Sequence, residues 1–464
     1  MPAPVSTSPL TSRAQAAHLL LRATFGPEAG DIDHLLDSGT EAFLERQLAP
    51  EPEHDELAAK LLALQTIEYS ASEFVIRHQR DGSRVSVECP LDELRTAKLV
   101  RAVHSHNQLR EVMTDFWYNH FNVYVYAWEP SVPPYERETI RPHVFGRFRD
   151  LLRAVSKSPA MMYYLDTFIS TANRMVDGKL VRGLNENYGR ELLELHTVGV
   201  AAGYAQHDVT EAARCFTGWD FGGWHAPVYG FRFAGDNHDR GAKAVFGLEI
   251  PADGGESDGD RLVDYLAAHP ATAQFVSWRI VQRFVADDPP ATLIAKCAET
   301  FRRSDGSIAD VLRTLFTSDE FNSEAVRGKK VKSPLEFVAG AMRAAGASIR
   351  DGKAVSTFLG QMGMPLYECK PPTGYSNRSR DWINVSAQLH RMNFAIALAT
   401  NDLFGVRQDG AAGDVTGSFE RDIIGGPIDS RTKALIARAG ADKTVPHEAK
   451  QMALLLASPP FQMR

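Results

Sequence analysis

The sequence predicts a mainly α-helical protein, a single large multi-helix domain over residues 1-464 with a small antiparallel β insert near residues 221-250. Three observations lead to this prediction. Apolar residues recur at helical spacing along most of the chain. Aromatic and β-branched residues cluster between glycines in 221–250. Neither an internal repeat nor a low-complexity linker divides the 464 residues.

The first part of the chain is predicted to hold successive amphipathic helices. AAHLLLRATF and EAFLERQLA carry apolar residues at helical spacing, and residues 96–121 are long enough for one helix or two abutting ones. Residues 75–92 are polar and irregular, which predicts an exposed loop. Ser158 and Pro159 are typical of an N-cap and a first helical position, so the short helix PAMMYYLDTF is expected to begin there.

The rest of the chain alternates further helices with the β insert and one long loop. In FGGWHAPVYGFRFAGDNHDRGAKAVFGLEI, residues 221–250, glycine-rich turns separate short β-like runs. Helical periodicity resumes in ATAQFVSWRIVQRFV, SPLEFVAGAMRAAG and VSAQLHRMNFAIALATNDLF. CKPPTGYSNRSRDW lies between the last two, and its two prolines and glycine exclude a helix.

Composition limits the classes of function. The chain is 44% hydrophobic and 23% charged, as in ordinary globular proteins. Its net charge of −7 argues against a nucleic-acid partner, because phosphate binding needs a concentrated positive field. Its apolar runs are short and interrupted, so no membrane span is expected. No signal peptide is visible, which makes the cytoplasm the default location.

The segment NENYGRELLELHTVGV, residues 185–200, is the first candidate site. On a helix, Asn187, Arg190, Glu191 and Glu194 fall on one face, while His196 falls with the leucines on the other. Two carboxylates three residues apart suit general acid/base catalysis if one of them is desolvated. The alternative is a solvated helix face on which Arg190 compensates the glutamates.

Histidines supply candidate metal ligands. His120 and His196 both lie on apolar helix faces, so they could meet across the core and bind a divalent metal. Satisfied core histidines are the alternative. His238 and Asp239, beside a glycine, suit ligands or a base and its orienter, and equally a polar hairpin tip. Asp208, with Glu211 reaching back to it, is expected to cap a helix.

Aromatic side chains on a rigid loop predict substrate contacts. Lys370 and Tyr375 lie in the loop KPPTGY, and Trp382 follows it. Together with Trp219 they could line a pocket for a sugar, or attach the loop to the core. Asp166, at the end of the short helix, is a further candidate base or nucleophile.

Several segments in order carry a family resemblance, among them HLLLRATFGP, QLREVMTDFWYNHF, SPAMMYYLD, NENYGRELLELHTVGV, TGW, HDRGAK, HPATAQF and PPTGYSNRSRDWIN. They resemble the bacterial domain of unknown function 1800 family from about residue 17 to 400. The resemblance implies a fold and a motif set but no reaction. It also implies a sulfatase-like protein partner. Exported relatives leave a periplasmic location open.

Three functions follow as hypotheses. The first is a hydrolase of a glycan or similar polar polymer, with Glu191 as acid and Glu194 or Asp166 as base or nucleophile. The second is a metal-dependent enzyme, such as an oxidoreductase, that uses the histidines with iron, copper or zinc. The third is a non-catalytic scaffold or binding partner. Convergence of Glu191, His120, His196 and His238 on one cavity would distinguish them.

Overall fold

A computed structural model describes residues 12–79, 88–176, 179–222, 229–408, 413–438 and 445–464. Helices dominate, as predicted. The first group of α-helices comprises α1 (Arg13–Ala23), α2 (Asp31–Leu48), α3 (Asp55–Leu62), α4 (Ala71–Gln79), α5 (Glu88–His104), α6 (Gln108–His120), α7 (Val132–Pro134), α8 (Phe148–Ser156) and α9 (Pro159–Tyr164).

The remaining α-helices continue along the chain. They are α10 (Asn187–Glu191), α11 (Gln206–Cys215), α12 (Ser257–Ala268), α13 (Pro270–Phe284), α14 (Ala291–Arg303), α15 (Ile308–Phe316), α16 (Asp319–Asn322), α17 (Pro334–Ala344), α18 (Lys353–Gln361), α19 (Val385–Ala399), α20 (Val415–Ser418), α21 (Ser430–Arg438), α22 (His447–Ala457) and α23 (Pro459–Gln462). Within the described part of the chain, three segments are π-helical, Tyr135–Ile140, Leu192–His196 and Phe419–Ile424.

Short 3-10 turns connect several of these helices. They are Gln65–Glu68, Val125–Ala127, Glu129–Ser131, Arg141–His143, Thr167–Ile169, Val200–Ala202, Gly235–Asn237 and Ser379–Trp382. The turn Ser379–Trp382 lies inside the proline-containing loop for which no α-helix was expected. The chain before α9 also follows the prediction, because residues 96–121 form two abutting helices, α5 and α6.

The described strands form four two-stranded antiparallel sheets. Strands β3 (Trp219–Asp220) and β4 (Arg232–Phe233) pair, and β5 (Lys243–Val245) pairs with β6 (Leu248–Ile250). These confirm the β insert near 221-250, of which residues 223–228 lie outside the described part. Two further pairs were not expected: β1 (Arg174–Val176) with β2 (Lys179–Arg182), and β7 (Ser348–Ile349) with β8 (Val406–Arg407).

The expected exposed loop over 75–92 is corrected at both ends. Residues 75–79 complete α4, and residues 88–92 form the first turn of α5; residues 80–87 lie outside the described part. Leu91 and Leu94 are buried at 4% exposure. These two leucines, three positions apart, lie on one side of α5 and pack its start against the core.

One hydrophobic core extends through the described chain, from Ala16 in α1 to Phe461 in α23. Helices α13 and α14 pack on each other, as do α19 and α22, and α10 packs on α11. A continuous core of this kind is what the predicted single domain requires. No described helix combines the length and the apolar character that a membrane crossing needs.

Candidate active site

The glutamate segment begins as α10 and continues as the π-helical turn Leu192–His196. Leu192, Leu193 and His196 are fully buried, whereas Glu191 and Glu194 are only partly buried. The two faces assigned from the sequence are therefore confirmed. A π-helical turn inside an α-helix is rare, and such turns occur frequently at functional sites.

Gly189 allows α10 to lie directly against α11. A Cβ atom at this position would be 2.8 Å from the backbone nitrogen of Ala213 and 3.0 Å from the carbonyl oxygen of Val209. Both distances are too short for a side chain, so the approach requires glycine. This contact fixes the orientation of the glutamate face.

Arg190 compensates one of the two glutamates. Its guanidinium lies 3.4 Å from Glu194 and 3.2 Å from Glu186, and it donates to the Gln206 side chain at 2.9 Å. Burial, together with the negative charge of Glu194, raises the pKa of Tyr204 to about 12. Glu194 is therefore an ion-paired carboxylate. This agrees with the alternative to catalysis, a solvated helix face on which Arg190 compensates the glutamates.

Glu191 has a different environment. Among the described residues, its carboxyl has no hydrogen-bond or ion-pair partner within reach. Its partial burial, together with the negative charge of Glu194, raises the pKa of Glu191, and Arg190 opposes this only in part. A partly desolvated carboxyl without a fixed partner is the kind of group that can give or take a proton.

Asp166 lies beside the start of the same helix. It follows α9 in a left-handed backbone conformation, φ 57°, which is unusual for a residue other than glycine. Asn187 Nδ2 donates to Asp166 Oδ2 at 3.4 Å, and burial raises the pKa of Asp166. The structure therefore brings Asp166 next to Asn187, the first residue of the helix that carries Glu191.

Tyr164 connects this face to the loop after residue 368. Its hydroxyl donates to the carbonyl oxygen of Lys370 at 2.5 Å. Burial raises the pKa of Tyr164 to about 12, and the charges of Cys369 and Glu191 contribute. Tyr164 thus contacts the backbone of Lys370 and is influenced by the charge of Glu191. It lies in the SPAMMYYLD segment but was not among the predicted site residues.

Trp219 does not take part in this face. It is 0% exposed, with its ring centroid 5.0 Å from those of both Phe216 and Phe231. A Cβ on Gly259 would lie 2.3 Å from its ring. The expected substrate contact is therefore corrected to a core packing role, since the side chain has no accessible surface.

Tyr375 and Trp382 hold their loop against the protein. The Tyr375 hydroxyl donates to the carbonyl oxygen of Pro365 at 2.6 Å, and the backbone nitrogen of Tyr375 donates to Asn119 Oδ1 at 3.1 Å. The indole nitrogen of Trp382 donates to Ser376 O at 3.0 Å, and only 7% of this residue is exposed. These contacts favour the loop-attachment alternative over sugar stacking. Lys370 remains exposed.

His120 and His196 meet across the core, as the sequence analysis suggested. Their ring centroids are 6.4 Å apart, and Nε2 of His120 lies 3.1 Å from the carbonyl oxygen of His196. Burial lowers the pKa of His120 well below its ordinary value and that of His196 to about 3. Both rings are therefore neutral at physiological pH, the form in which imidazole binds metals.

His238 is held in a separate cluster, so the predicted three-histidine site is wrong. Nε2 of His238 lies 3.1 Å from Asp258 Oδ2, and Nδ1 lies 2.8 Å from Thr217 O. Lys243 Nζ reaches the same Asp258 oxygen at 2.8 Å. Asp239 pairs instead with Arg214. Over the described residues, no group of three or more His, Cys, Asp or Glu could hold a metal ion.

Asp208 has the structural role expected of it, in a different register. Helix α11 begins at Gln206, so Asp208 is the third helical residue and its Oδ2 accepts from the backbone nitrogen of Ala205 at 2.7 Å. Its Oδ1 accepts from Phe246 N at 2.7 Å, and Glu211 pairs with Arg214. Asp208 therefore caps the helix and also fastens the β5–β6 turn to it.

Two larger cavities, of about 410 and 420 Å³, lie elsewhere in the molecule. The first is lined mainly by residues of α1, α2, α5 and α17, and the second by the end of α19, the start of α22 and the residues next to them. Neither includes Glu191 or Asp166. The carboxyls that best suit acid/base chemistry thus lie on a partly open face.

The family model described as "Protein of unknown function (DUF1800)" matches residues 18–463. This span contains every candidate residue and extends beyond the residues 17 to 400 that carried the resemblance. No curated protein and no solved structure matches the chain.

Proposed function

Because the chain belongs to the DUF1800 family, whose function is unknown, we propose from its own geometry that it is a hydrolase of a glycan or similar polar polymer. One observation carries the proposal. Two partly buried carboxyls, Glu191 and Asp166, lie on adjoining segments, and burial raises the pKa of both. Asn187, one helical turn before Glu191, holds Asp166 in place.

The proposed roles follow from the two environments. Glu191, whose protonated form is favoured by burial and by Glu194, gives its proton to the oxygen of the leaving group. Asp166 takes a proton from the attacking water as the new bond to oxygen forms and the old one breaks. Glu191 gives up one proton and Asp166 gains one, so the proton count balances. The products are the leaving group as an alcohol and the other fragment with the hydroxyl group of the water. Glu194 acts on Glu191 through its charge.

The substrate class rests on the openness and polarity of this face. Glu191, Glu194 and Arg190 are partly exposed, and Asn187 and Lys370 are exposed. A chain of polar units can lie across such a surface, whereas a small molecule is bound mainly in an enclosed cavity. Tyr164 and Tyr204, both partly buried, flank the carboxyls with the amphipathic rings that sugars contact.

To test this, the full chain is incubated with a panel of bacterial and plant polysaccharides. Hydrolysis is measured as the release of new reducing ends. On the substrate that is cleaved, Glu191→Gln and Asp166→Asn are each expected to lower kcat by about 100-fold or more, because each removes a proton-transfer group. The control Glu324→Gln changes a carboxylate that is 92% exposed and leaves kcat unchanged.

Retained activity in both Glu191→Gln and Asp166→Asn, with unfolding curves like that of the unaltered protein, would overturn the assignment. A fall in kcat with unchanged KM is the pattern for a group that acts in the transition state. The stereochemistry of the released sugar then reports on the separation of the carboxyls, roughly 5–5.5 Å for retention and roughly 6.5–9.5 Å for inversion.

A metal-dependent enzyme is the second candidate. It is favoured by His120 Nδ1 and both ring nitrogens of His196, which are buried and have no hydrogen-bond partner among the described residues. Two imidazoles leave positions for further ligands from a substrate or water. Elemental analysis of protein without a histidine tag tests this, since bound metal that is unaffected by His196→Leu contradicts it.

The sulfatase-like partner implied by the family resemblance stays a proposal of the same kind. A partner of that class would act on sulfated polymers, which the hydrolase proposed here would cleave after or before desulfation. Co-purification of the two proteins from the native host tests the association directly.

A further inference from the structure

Helix α19, Val385–Ala399, presents apolar side chains to solvent. Of the eleven large apolar residues that are exposed in the described part of the chain, six lie between positions 383 and 404. They are Ile383, Val385, Leu389, Met392, Ile396 and Phe404. Isolated apolar residues are ordinary on a protein surface, but a group of them in one place marks an interaction site.

Four of these residues form a single stripe along the helix, and we call them the α19 stripe: Val385, Leu389, Met392 and Ile396. Their spacing of four, three and four residues places them within an arc of about 60°, at about 100° per residue. Each is between 49% and 88% exposed. The spacing is that of the a and d positions of a coiled coil, so the surface is suited to pack against another helix.

The opposite side of α19 is already packed in the core. Phe394 and Leu398 are at most 1% exposed and belong to the hydrophobic core. Arg391, on the same side, is fully buried and donates to Gln462 Oε1 and to the carbonyl oxygen of Lys332. The helix is therefore apolar around most of its circumference, as a helix is when protein covers both of its sides.

The exposed side of α19, which lies wholly within the described part of the chain, carries no ionised side chain. Arg391 is the only lysine, arginine, aspartate or glutamate among residues 385–399, and it is buried. Ser386 and Asn393, beside the α19 stripe, are exposed and neutral. Solvated helix faces carry charged residues, whereas the centres of interfaces are depleted of them. Two neutral faces of this kind also meet without charge repulsion.

The α19 stripe is complementary to a second copy of itself. Its spacing reads the same in both directions, so a two-fold axis midway between Leu389 and Met392 superimposes two antiparallel copies. Val385 of one protomer then meets Ile396 of the other, and Leu389 meets Met392. The members of each pair match, since Val385 and Ile396 are both β-branched and leucine and methionine have similar volumes. Such self-complementary contacts are what two-fold dimers require.

We propose that α19 forms the interface of a symmetric homodimer, in which the α19 stripe of one protomer packs antiparallel on that of its partner. A helix of 15 residues is about 22 Å long, so the interface lies at the lower end of specific ones, near about 1,000 Å² in total. We therefore expect reversible association with Kd in the micromolar range. The dimer is independent of the proposed hydrolase, because the α19 stripe contains none of its candidate residues.

Sedimentation velocity of the full chain, from about 1 to about 500 μM, tests the association. The expected result is a mass that rises with concentration from that of a monomer to that of a dimer. A monomer over the whole range overturns the proposal and leaves α19 to a different protein. Flotation with phospholipid vesicles adds a second arm, since a monomer that binds vesicles through the α19 stripe also contradicts the dimer.

Leu389→Glu places a carboxylate at the centre of the proposed interface. It is expected to raise Kd by about 30-fold or more, because the charge loses its hydration on association and has no partner. Leu389 is 54% exposed, so Tm should not change. The matched control Leu62→Glu, at a leucine of α3 that is 76% exposed, leaves Kd unchanged. Unaltered association of Leu389→Glu contradicts the proposal.

The double variant Leu389→Glu/Met392→Lys tests the antiparallel register. Each introduced glutamate then faces a lysine of the partner protomer, so association is expected to recover at least part of what Leu389→Glu loses. Recovery is a result that mere damage to the fold would not give. Association that stays as weak as in Leu389→Glu alone contradicts this register.

Cross-linking shows the direction of the helices without reliance on a weakened variant. Val385→Cys and Ile396→Cys, mixed and treated with a short bismaleimide, are expected to form a mixed dimer. Each alone should give only the background of the unaltered protein, because equivalent positions would lie about 16 Å apart in the antiparallel pair. Efficient cross-linking of Val385→Cys by itself indicates a parallel pair and overturns the proposal.

Discussion

Glu191 and His196 lie five residues apart in one short segment, but their side chains have different exposure to solvent. Glu191 is partly open to water, whereas His196 is completely buried and neither of its ring nitrogens has a hydrogen-bond partner among the described residues. Burial disfavours the charged form of both, so it raises the pKa of the acid and lowers that of the imidazole. Only Glu191 can exchange its proton with solvent or a substrate.

The neutral state of His196 predicts an acid-sensitive fold. The unfolded chain binds a proton near pH 6.5, but the folded chain does so only near pH 3. Stability is therefore full above the first value and declines as pH falls towards the second, by up to about 1.4 kcal/mol per pH unit for each such histidine. Urea unfolding between pH 7 and pH 4 measures the decline.

His196→Leu is expected to reduce this slope, since the titrating group is removed. His207→Leu, at an exposed position in α11, is the matched control and leaves the slope unchanged. An identical slope in His196→Leu and in the unaltered protein would show that His196 does not stay neutral in the fold.

At the scale of elements, the pair α10 and α11 positions the candidate site. Gly189 brings the two backbones into contact, and Asp208 ties α11 to the turn before β6. The π-helical turn after α10 keeps the glutamates outward while His196 enters the core. The site therefore depends on helix packing as much as on the glutamates themselves.

Gly189→Ala is expected to destabilise the protein by about 1–3 kcal/mol, because the added methyl group would overlap the backbone of α11. It should also lower hydrolysis, since α10 must shift. Chemical denaturation measures the first effect. Gly426→Ala, where an added Cβ meets nothing within 4 Å, serves as the control and stays within about 0.5 kcal/mol. Equal stability of both variants would contradict the contact.

At the scale of the whole molecule, buried charges join the β insert to the helical body. Asp258 of α12 is 0% exposed and binds both His238 and Lys243, which belong to the insert. Lys243 Nζ also donates to Gly241 O at 2.9 Å. The HD-x-x-x-K residues of the insert thus have a structural role as anchors.

Neutralising the charge of Asp258 should therefore weaken the attachment of the β insert to the helices. Asp258→Asn leaves Lys243 buried without its counter-charge, a change expected to cost about 3–5 kcal/mol of the free energy of unfolding. Denaturant titration of the full chain measures this, and proteolysis shows whether cleavage begins in 229–250. Glu249→Gln, on the exposed side of β6, is the control. A loss below 1 kcal/mol would indicate that the cluster is not an anchor.

The sequence by itself determined the elements and their faces. The family followed from several motifs in order along the chain. Helical periodicity, the β insert, the outward glutamates and the inward His196 followed from patterns within single segments, because backbone geometry fixes which neighbours share a side. The meeting of His120 with His196 was predicted only as one of several outcomes.

Only the tertiary structure decided which segments converge. It buried Trp219, placed His238 with Asp258, turned the ends of residues 75–92 into helix and paired Glu336 with Arg283 and Arg464. Asn187, in the helix that carries Glu191, reached Asp166 from 21 residues further along the chain. Such contacts depend on how distant helices pack, and packing is set by the shapes of all the core side chains together, which no local pattern in the chain records.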